Sequence, residues 1–274
     1  MATRWLKLTV AYDGTAYAGW QIQPADPTVQ GVLEAALREI TQETVRVTVA
    51  GRTDAGVHAL GQVAGLSTES RLSNHDLHRG LNAVLPEDIA VVRVEDAREG
   101  FHATHDAQGK LYRYRIHNGR TPAVFDRHWT WHYPQSLDAA AMHRAGQALV
   151  GRHDFSSFET AGSERPNSVR TITELTVTRG GWLGSSASSP PVASISGGSA
   201  EPRPQPLDDE RITIEVAGDG FLYNMVRAIV GTLVEVGKGA RDVSWLAEVL
   251  AAHDRRQAGQ TSPPHGLFLV RVDY

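Results

Sequence analysis

The chain has 274 residues, 41% of them hydrophobic, and carries a formal net charge of −4 at neutral pH. That length is enough to bury a sizeable core in one or two domains, and the mild negative charge argues against nonspecific adhesion to nucleic acid but allows a local basic groove. The absence of cysteine excludes disulfides and thiolate metal sites, which favours a cytoplasmic protein, and neither a membrane-spanning run of about 20 apolar residues nor a signal peptide is apparent.

Hydrophobic periodicity predicts the order β-α-β-β-α-β for the first part of the chain. Thr28 is available as the N-cap of the first helix, and Ser73 with Asp76 forms a capping-box pattern before the second. The predicted elements are a strand over residues 5–12, a helix over 29–40, strands over 45–50 and 61–66, a helix from 74 that ends before Pro86, and a strand over 89–94.

The same order returns in the second part of the chain. The elements there are a strand over 110–117, a helix over 137–150, strands over 171–178 and 211–216, helices over 221–236 and 242–252, and a strand over 267–272. Two successive units predict an α+β protein of two ferredoxin-like halves, residues 1–105 and 106–274, each an antiparallel sheet with helices on one face. Residues 180–206, of which 17 of 27 are Gly, Ser or Pro, are predicted to be a flexible surface loop.

The most distinctive stretch connects the second and third strands and reads Gly51-Arg52-Thr53-Asp54-Ala55-Gly56-Val57-His58. Its glycines permit a sharp turn, and Asp54 stands two residues after a cation, Arg52. Because a nearby positive charge favours the ionised carboxylate, Asp54 is a candidate reactive group with Arg52 as its local partner. The alternative is ordinary turn chemistry, in which an Asp near Gly only shapes the loop.

Two other segments have both a functional and a structural interpretation. Aromatic residues interleaved with glycines over residues 12–21 would either stack on nucleobases or fill the core. On the strand over 110–115, Tyr112 and Tyr114 share one face and two arginines share the other. That alternation suits either a sheet that meets RNA or a core face backed by a solvated one.

Arg227 and the histidines are the remaining candidates. Arg227 lies beside an apolar helix face and needs an acidic or phosphate partner unless its guanidinium reaches solvent. The closely spaced histidine pairs are His75/His78, His102/His105 and His128/His132. A metal site needs three or four converging ligands, and these pairs lie on separate predicted elements, so metal binding is not expected.

Taken together, these segments resemble the tRNA pseudouridine synthase A family over nearly the whole chain. The octet 51–58 is the family's catalytic signature. The other segments that carry the resemblance are Tyr12-Asp13-Gly14 with Gly19-Trp20-Gln21, Thr28-Val29-Gln30-Gly31 with Leu33-Glu34, Gly61-Gln62-Val63, Phe101-His102-Ala103, residues 110–115, Asp154-Phe155-Ser156-Ser157-Phe158, and residues 221–231 and 267–274.

The resemblance implies two related halves with an active-site cleft between their sheets. It implies isomerisation of uridine to pseudouridine at positions 38, 39 and 40 of the anticodon stem and loop of tRNA, without a metal or organic cofactor, by a homodimer whose basic surface holds the tRNA. Asp54 matches the catalytic aspartate, the expected nucleophile. Tyr112 matches the active-site tyrosine, whose ring would stack on the uracil. Arg227 matches an arginine expected to pair with Asp54, and Arg52 would help to hold the extruded nucleotide.

The chain also departs from the family. Thr104 follows Phe101-His102-Ala103 where the family often has arginine, so one phosphate contact is expected to be missing, and the segment 180–206 is longer than the family's usual hairpin. Three routes stay open for Asp54: attack on C1′ of the ribose, addition to the base, or removal of a ribose proton.

Two rival functions remain at this level. A non-catalytic RNA-binding protein built from two sheets would use exposed aromatic residues on the sheet faces and would not require the pair of Arg52 and Asp54. A metal-dependent hydrolase would use the histidines as ligands.

Overall fold

The structure, a computed structural model, describes residues 3–160, 167–180 and 210–274. Residues 181–206 of the predicted flexible loop lie outside the described residues. The strands are Arg4–Tyr12 (β1), Thr48–Val49 (β2), His58–Thr68 (β3), Ile89–Ala97 (β4), Gly109–His117 (β5), Trp131–His132 (β6), Gly151–Asp154 (β7), Val169–Arg179 (β8), Arg211–Gly218 (β9) and Leu267–Asp273 (β10). The α-helices are Val29–Thr41 (α1), Asn74–Val84 (α2), Ala139–Gly146 (α3), Met225–Gly237 (α4) and Trp245–Ala252 (α5).

Capping side chains fix where the first two helices begin, as the sequence predicts. The Thr28 hydroxyl accepts a hydrogen bond from the backbone N of Gly31 at 3.3 Å, and the Ser73 hydroxyl accepts one from the backbone N of Asp76 at 3.1 Å. Each hydroxyl satisfies an N–H group that has no partner within the helix. The predicted starts of α1 and α2 are therefore confirmed.

Other element ends differ from the prediction. The strand expected over residues 45–50 is shorter in the structure and pairs with β3 only over Thr48–Val49. The helix expected from residue 221 begins at Met225, since Asn224 has a left-handed backbone with φ of 60° that cannot continue a helix. The short strands β6 and β7 were not predicted, and they are only two and four residues long.

The described strands form one continuous sheet, whereas the sequence led us to expect two. The main order is β4-β1-β3-β10-β5-β9-β8-β7, with β2 on β3 and β6 on β5. The first part of the chain contributes the order β4-β1-β3-β2 and the second part contributes β10-β5-β9-β8, and all of these pairs are antiparallel. A parallel pairing of β10 with β3 joins the two arrays, with Phe268 opposite His58 and Leu269 opposite Ala59. This junction brings the end of the chain beside the octet.

Apolar faces of the strands and helices share one large core. Alternate residues of β1 are buried in it together with Leu33 and Leu37 of α1, as period-2 and period-3.6 patterns require. Helix α4 has buried residues on nearly every side and forms the centre of the second part's core. No helix in the described part of the chain is long and apolar enough to cross a membrane.

Candidate active site

A cleft of about 850 Å³ opens where the β2–β3 loop of the first part faces the start of α4 in the second. The β2–β3 loop carries the octet, and the start of β5 lies beside it. All four site residues expected from the sequence line this cleft: Arg52, Asp54, Tyr112 and Arg227. The fold therefore brings together residues that are up to 175 positions apart, Arg52 and Arg227 being the extremes.

Hydrogen bonds from the surrounding chain hold the octet rigidly. The buried Tyr12 and Thr53 hydroxyls are 2.8 Å apart, and the backbone N of Trp20 donates to the Thr53 carbonyl at 3.0 Å. The side-chain amide of Gln62 donates to the Gly51 carbonyl at 2.7 Å. Because these contacts anchor both residues that flank Arg52, the loop presents the Asp54 carboxylate from a fixed backbone.

Gly19 makes one close approach that only glycine permits. Its φ is +97°, and a Cβ at this position would lie 2.6 Å from the Thr53 carbonyl oxygen. The segment 12–21 thus serves as a support for the octet. Its aromatic residues Tyr12, Tyr17 and Trp20 are buried, which confirms the structural interpretation of that segment and not base stacking.

His58 anchors the other end of the octet. Its Nδ1 accepts a hydrogen bond from the backbone N of Gly14 at 3.0 Å, and its Nε2 lies 3.2 Å from the carbonyl oxygen of His265. Burial lowers the pKa of His58, against the opposing effect of Asp13, so the imidazole is neutral and donates from Nε2. The octet's histidine is thus a structural tie between β3 and the segment before β10.

Asp54 forms an ion pair with Arg227, as the resemblance implied. Nη1 of Arg227 lies 3.4 Å from Oδ2 of Asp54, and the two side chains are 16% and 28% exposed. The same guanidinium donates from Nε to the Ser262 carbonyl at 2.8 Å and from Nη1 to the Asn224 side chain at 2.9 Å. Arg227 therefore has the acidic partner that its position on an apolar helix requires.

The pKa of Asp54 is raised above its usual value. Burial is the largest cause, and the charge and hydrogen bond of Arg227 oppose it. A carboxylate that is half removed from water is a stronger base and nucleophile than a solvated one, while the adjacent guanidinium favours its ionised form. The site thus holds an activated carboxylate beside one fixed cation.

The interpretation of Arg52 as the local partner of Asp54 is wrong. Its side chain is exposed, and it makes no hydrogen bond or ion pair with any residue the structure describes. The cation that pairs with Asp54 is Arg227, whose charge and hydrogen bond lower the Asp54 pKa against the effect of burial. Arg52 instead projects into the cleft with a free guanidinium, which suits contact with a phosphate or a base.

Tyr112 lines the cleft next to the first residue of the octet. A Cβ on Gly51 would lie 3.8 Å from the Tyr112 hydroxyl and 3.2 Å from Nζ of Lys110, so both side chains reach the octet. The Tyr112 ring meets Phe221 edge-on, with centroids 5.0 Å apart. That contact fixes the plane of the tyrosine at the wall of the cleft.

The charge of the cleft differs in sign from that of the whole chain. Of the described residues that line it, the only anion is Asp54, and the cations are Arg52, Lys110, Arg170 and Arg227. The chain as a whole has a net charge of −4. The local basic groove that the sequence allowed is present, and a polyanion is the kind of ligand it attracts.

The rest of the sheet offers little to RNA. Tyr114 is fully buried and donates its hydroxyl hydrogen to the Pro263 carbonyl at 2.7 Å. On the opposite face, Arg113 pairs with Glu215 at 2.7 Å. The alternation on this strand therefore serves mainly the core, and Tyr112 is the one of its two tyrosines that reaches the cleft.

The histidines do not assemble into a metal site. Within residues 3–160, 167–180 and 210–274, no group of three or more His, Asp or Glu side chains converges in the way that a metal ion requires. His102 and His105 stack with centroids 3.9 Å apart, and Nδ1 of His102 accepts from the backbone N of Thr104 at 3.2 Å. Thr104 itself lines the cleft and donates to the Val49 carbonyl at 2.6 Å.

Further residues of the cleft that the sequence analysis did not single out include Lys110, Arg170, Tyr223 and Asn224. Lys110 and Tyr112 are two residues apart on β5, so their side chains share one face of the strand. This spacing was the signal that could have identified Lys110. Tyr223 is 50% exposed, and Asn224 directly precedes α4. No pattern in the sequence marks Tyr223 or Asn224, because the hydrophobic periodicity assigned both residues to the first turn of a helix.

Comparisons with known proteins identify the family of the chain. A sequence model of the tRNA pseudouridine synthase family matches residues 8–106 and 145–274. The chain is 41% identical to tRNA pseudouridine synthase A of Acetivibrio thermocellus and 43% identical to that of Moorella thermoacetica, in both cases over 98% of this chain and 99% of the relative. It is 42% identical to the protein of the same name from Myxococcus xanthus, over 98% of this chain and 91% of the relative. The chain belongs to the tRNA pseudouridine synthase family.

Proposed function

We propose that the protein isomerises uridine to pseudouridine at positions 38, 39 and 40 in the anticodon stem and loop of tRNA. The observation that carries the proposal is the ion pair of Asp54 and Arg227, held at 3.4 Å in a basic cleft between the two parts of the chain. A half-buried carboxylate with a fixed counter-ion is suited to covalent or proton-transfer chemistry.

The reaction changes bonds but not composition. The bond from N1 to C1′ breaks, the uracil turns, and a bond from C5 to C1′ forms. C5 loses its proton and N1 gains one. Asp54 is the proposed nucleophile, and the raised pKa of its carboxyl suits that role because basicity and nucleophilicity rise together. No metal or organic cofactor is needed for this balance.

The other cleft residues bind the substrate in this proposal. We infer that the Tyr112 ring stacks on the extruded uracil and that its hydroxyl assists the loss of the C5 proton. Arg227 keeps Asp54 ionised, while the free guanidinium of Arg52 holds the nucleotide outside the stem, which costs a few kcal/mol of lost stacking. Lys110 and Arg170 supply further positive charge for the phosphates.

The proposal extends to the organisation of the protein. Residues 1–105 and 106–274 act as two ferredoxin-like halves, an assignment supported by the repeated strand orders β4-β1-β3-β2 and β10-β5-β9-β8. We also propose that the protein works as a cytoplasmic homodimer, on the strength of the family resemblance.

Tritium release tests the function directly. Transfer RNA labelled with tritium at C5 of uridine should release its label into water when incubated with the protein, because C5 loses its hydrogen when it joins C1′. Release should stop after the uridines at positions 38 to 40 are consumed. No release from any tRNA that has uridine at these positions would contradict the proposal.

A further inference from the structure

Asn224 makes contacts that its place in the fold does not require. It precedes α4 directly, and its backbone is left-handed, with φ 60° and ψ 6°. Its side-chain amide nitrogen donates to the Thr160 hydroxyl at 3.0 Å, and its side-chain oxygen accepts from Nη1 of Arg227 at 2.9 Å. The amide group therefore has a partner at each end.

This arrangement differs from an ordinary helix N-cap. Asparagine is favoured as an N-cap because its side-chain oxygen accepts from a backbone N–H in the first turn, with the residue itself in an extended conformation. Asn224 has neither feature, since its side chain makes no capping hydrogen bond and its φ is positive. The side chain that would cap the helix is directed at the guanidinium of Arg227 instead.

Arg227 needs such a partner because of where it stands. It is the third residue of α4, where the helix dipole and the free N–H groups disfavour a cation. Nη1 serves two acceptors, and the contact to Asn224 at 2.9 Å is shorter than the contact to Asp54 at 3.4 Å. The position of Nη1 is thus set chiefly by Asn224, with Nε fixed by the Ser262 carbonyl at 2.8 Å.

We propose that Asn224 is a positioning residue, which fixes Nη1 of Arg227 against the Asp54 carboxylate. Asn224 lines the cleft, but in this proposal it takes no part in the bond changes and acts through Arg227. This inference rests on the proposed function for its kinetic consequences, but its effect on the ion pair does not depend on the reaction.

Other charged and titratable groups also lie near the ion pair. The cations lining the cleft are Arg52, Lys110 and Arg170, and the tyrosines in or near it are Tyr112, Tyr114 and Tyr223. Burial lowers the pKa of His265, and the positive charge of Arg227 acts in the same direction. An NMR signal from the Asp54 carboxyl carbon itself separates the titration of Asp54 from that of these neighbouring groups.

Two substitutions test the proposal. In Asn224→Gly the left-handed backbone is kept without strain, which offsets part of the stability lost with the two side-chain hydrogen bonds, so the variant should fold. The guanidinium loses its anchor, and we expect kcat for tritium release to fall about tenfold with KM changed less than about twofold. In Asn224→Asp the shape is kept, but the new carboxylate competes for Nη1 and adds negative charge, so the Asp54 pKa should rise.

The Asp54 pKa is followed by carbon NMR of protein labelled at the aspartate carboxyl carbons, with the Asp54 signal assigned by its loss in Asp54→Asn. Gln42→Gly is the matched control. Gln42 also has a left-handed backbone, with φ 59°, but lies at the end of α1 and not on the cleft. It should leave both kcat and the Asp54 titration unchanged.

Wild-type kcat and an unchanged Asp54 titration in Asn224→Gly would overturn the proposal. That result is expected if Asn224 serves only the fold, because its removal would then not affect the ion pair. If Asn224→Gly does not fold, the test relies on Asn224→Asp. An unchanged Asp54 titration in Asn224→Asp would then overturn the proposal. If the wild-type protein releases no tritium, the proposed function fails, while the NMR titration still tests whether Asn224 positions the ion pair.

Discussion

Two arginines near the same carboxylate behave in opposite ways. Arg52 is two residues from Asp54 in the chain, yet it is exposed and makes no contact with the carboxylate. Arg227 is 173 residues away, yet its guanidinium lies 3.4 Å from Asp54. Arg227 meets Asp54 because α4 is packed with its first turn facing the octet, whereas the Arg52 side chain lies exposed at the cleft. Closeness in sequence therefore gives the two residues a shared loop but not an interaction.

Asp54→Asn should have the largest effect. Asparagine keeps the shape of the side chain but cannot act as a nucleophile or base, so we expect tritium release to fall by more than about a thousandfold. The variant should fold and bind tRNA, since the support from Tyr12, Trp20 and Gln62 reaches Gly51 and Thr53 and not the carboxylate. Release at the wild-type rate would remove Asp54 from its proposed role.

Arg227→Gln should have the next largest effect, about a hundredfold on kcat, because the carboxylate loses its fixed partner. The pH profile gives a sharper test. Burial raises the Asp54 pKa and Arg227 lowers it, so activity in the wild type should be lost as pH falls through a value above the ordinary 3.8. Removing Arg227 leaves only the effect of burial, and this acidic limb should move to higher pH. A limb that stays in place would show that the ion pair does not control ionisation.

Arg52→Gln sharpens the contrast, since it should act on binding and not on ionisation. A free guanidinium in a basic cleft is suited to contact with a phosphate. Losing one such contact should reduce the slope of log Kd for tRNA against log salt concentration by about one. The acidic limb of the pH profile should be unchanged. A limb that shifts as it does in Arg227→Gln would restore Arg52 as an electrostatic partner of Asp54.

Tyr112→Phe should have the smallest effect on binding. The ring and its edge-on contact with Phe221 remain, so stacking worth about 1–3 kcal/mol per base is retained and the tRNA affinity should stay within about twofold of the wild type. Single-turnover rates then report on the hydroxyl alone. A slower rate at equal affinity would assign the hydroxyl a part in the proton loss at C5, and an equal rate would confine Tyr112 to stacking.

Local features of the protein could be predicted because their causes are local. Thr28 and Ser73 start helices by capping the nearest N–H groups, and the alternation on β1 and β5 follows from the geometry of a single strand. The composition of the octet left it between a reactive loop and ordinary turn chemistry, and only the family resemblance favoured the first. The aromatic segment 12–21 was left between two interpretations, because burial depends on what packs against it and not on the segment itself.

The chain alone thus determined most of the elements, their order in each part and the residue types that the site uses. Only the tertiary structure decided that β3 and β10 pair in parallel and join two arrays in one sheet, which sets the octet opposite α4. It also decided that Arg227 and not Arg52 acts on Asp54, and that Asn224 stands behind Arg227. These contacts join residues brought together by strand order and helix packing, and the energies that select such long-range neighbours leave no periodic trace in the sequence.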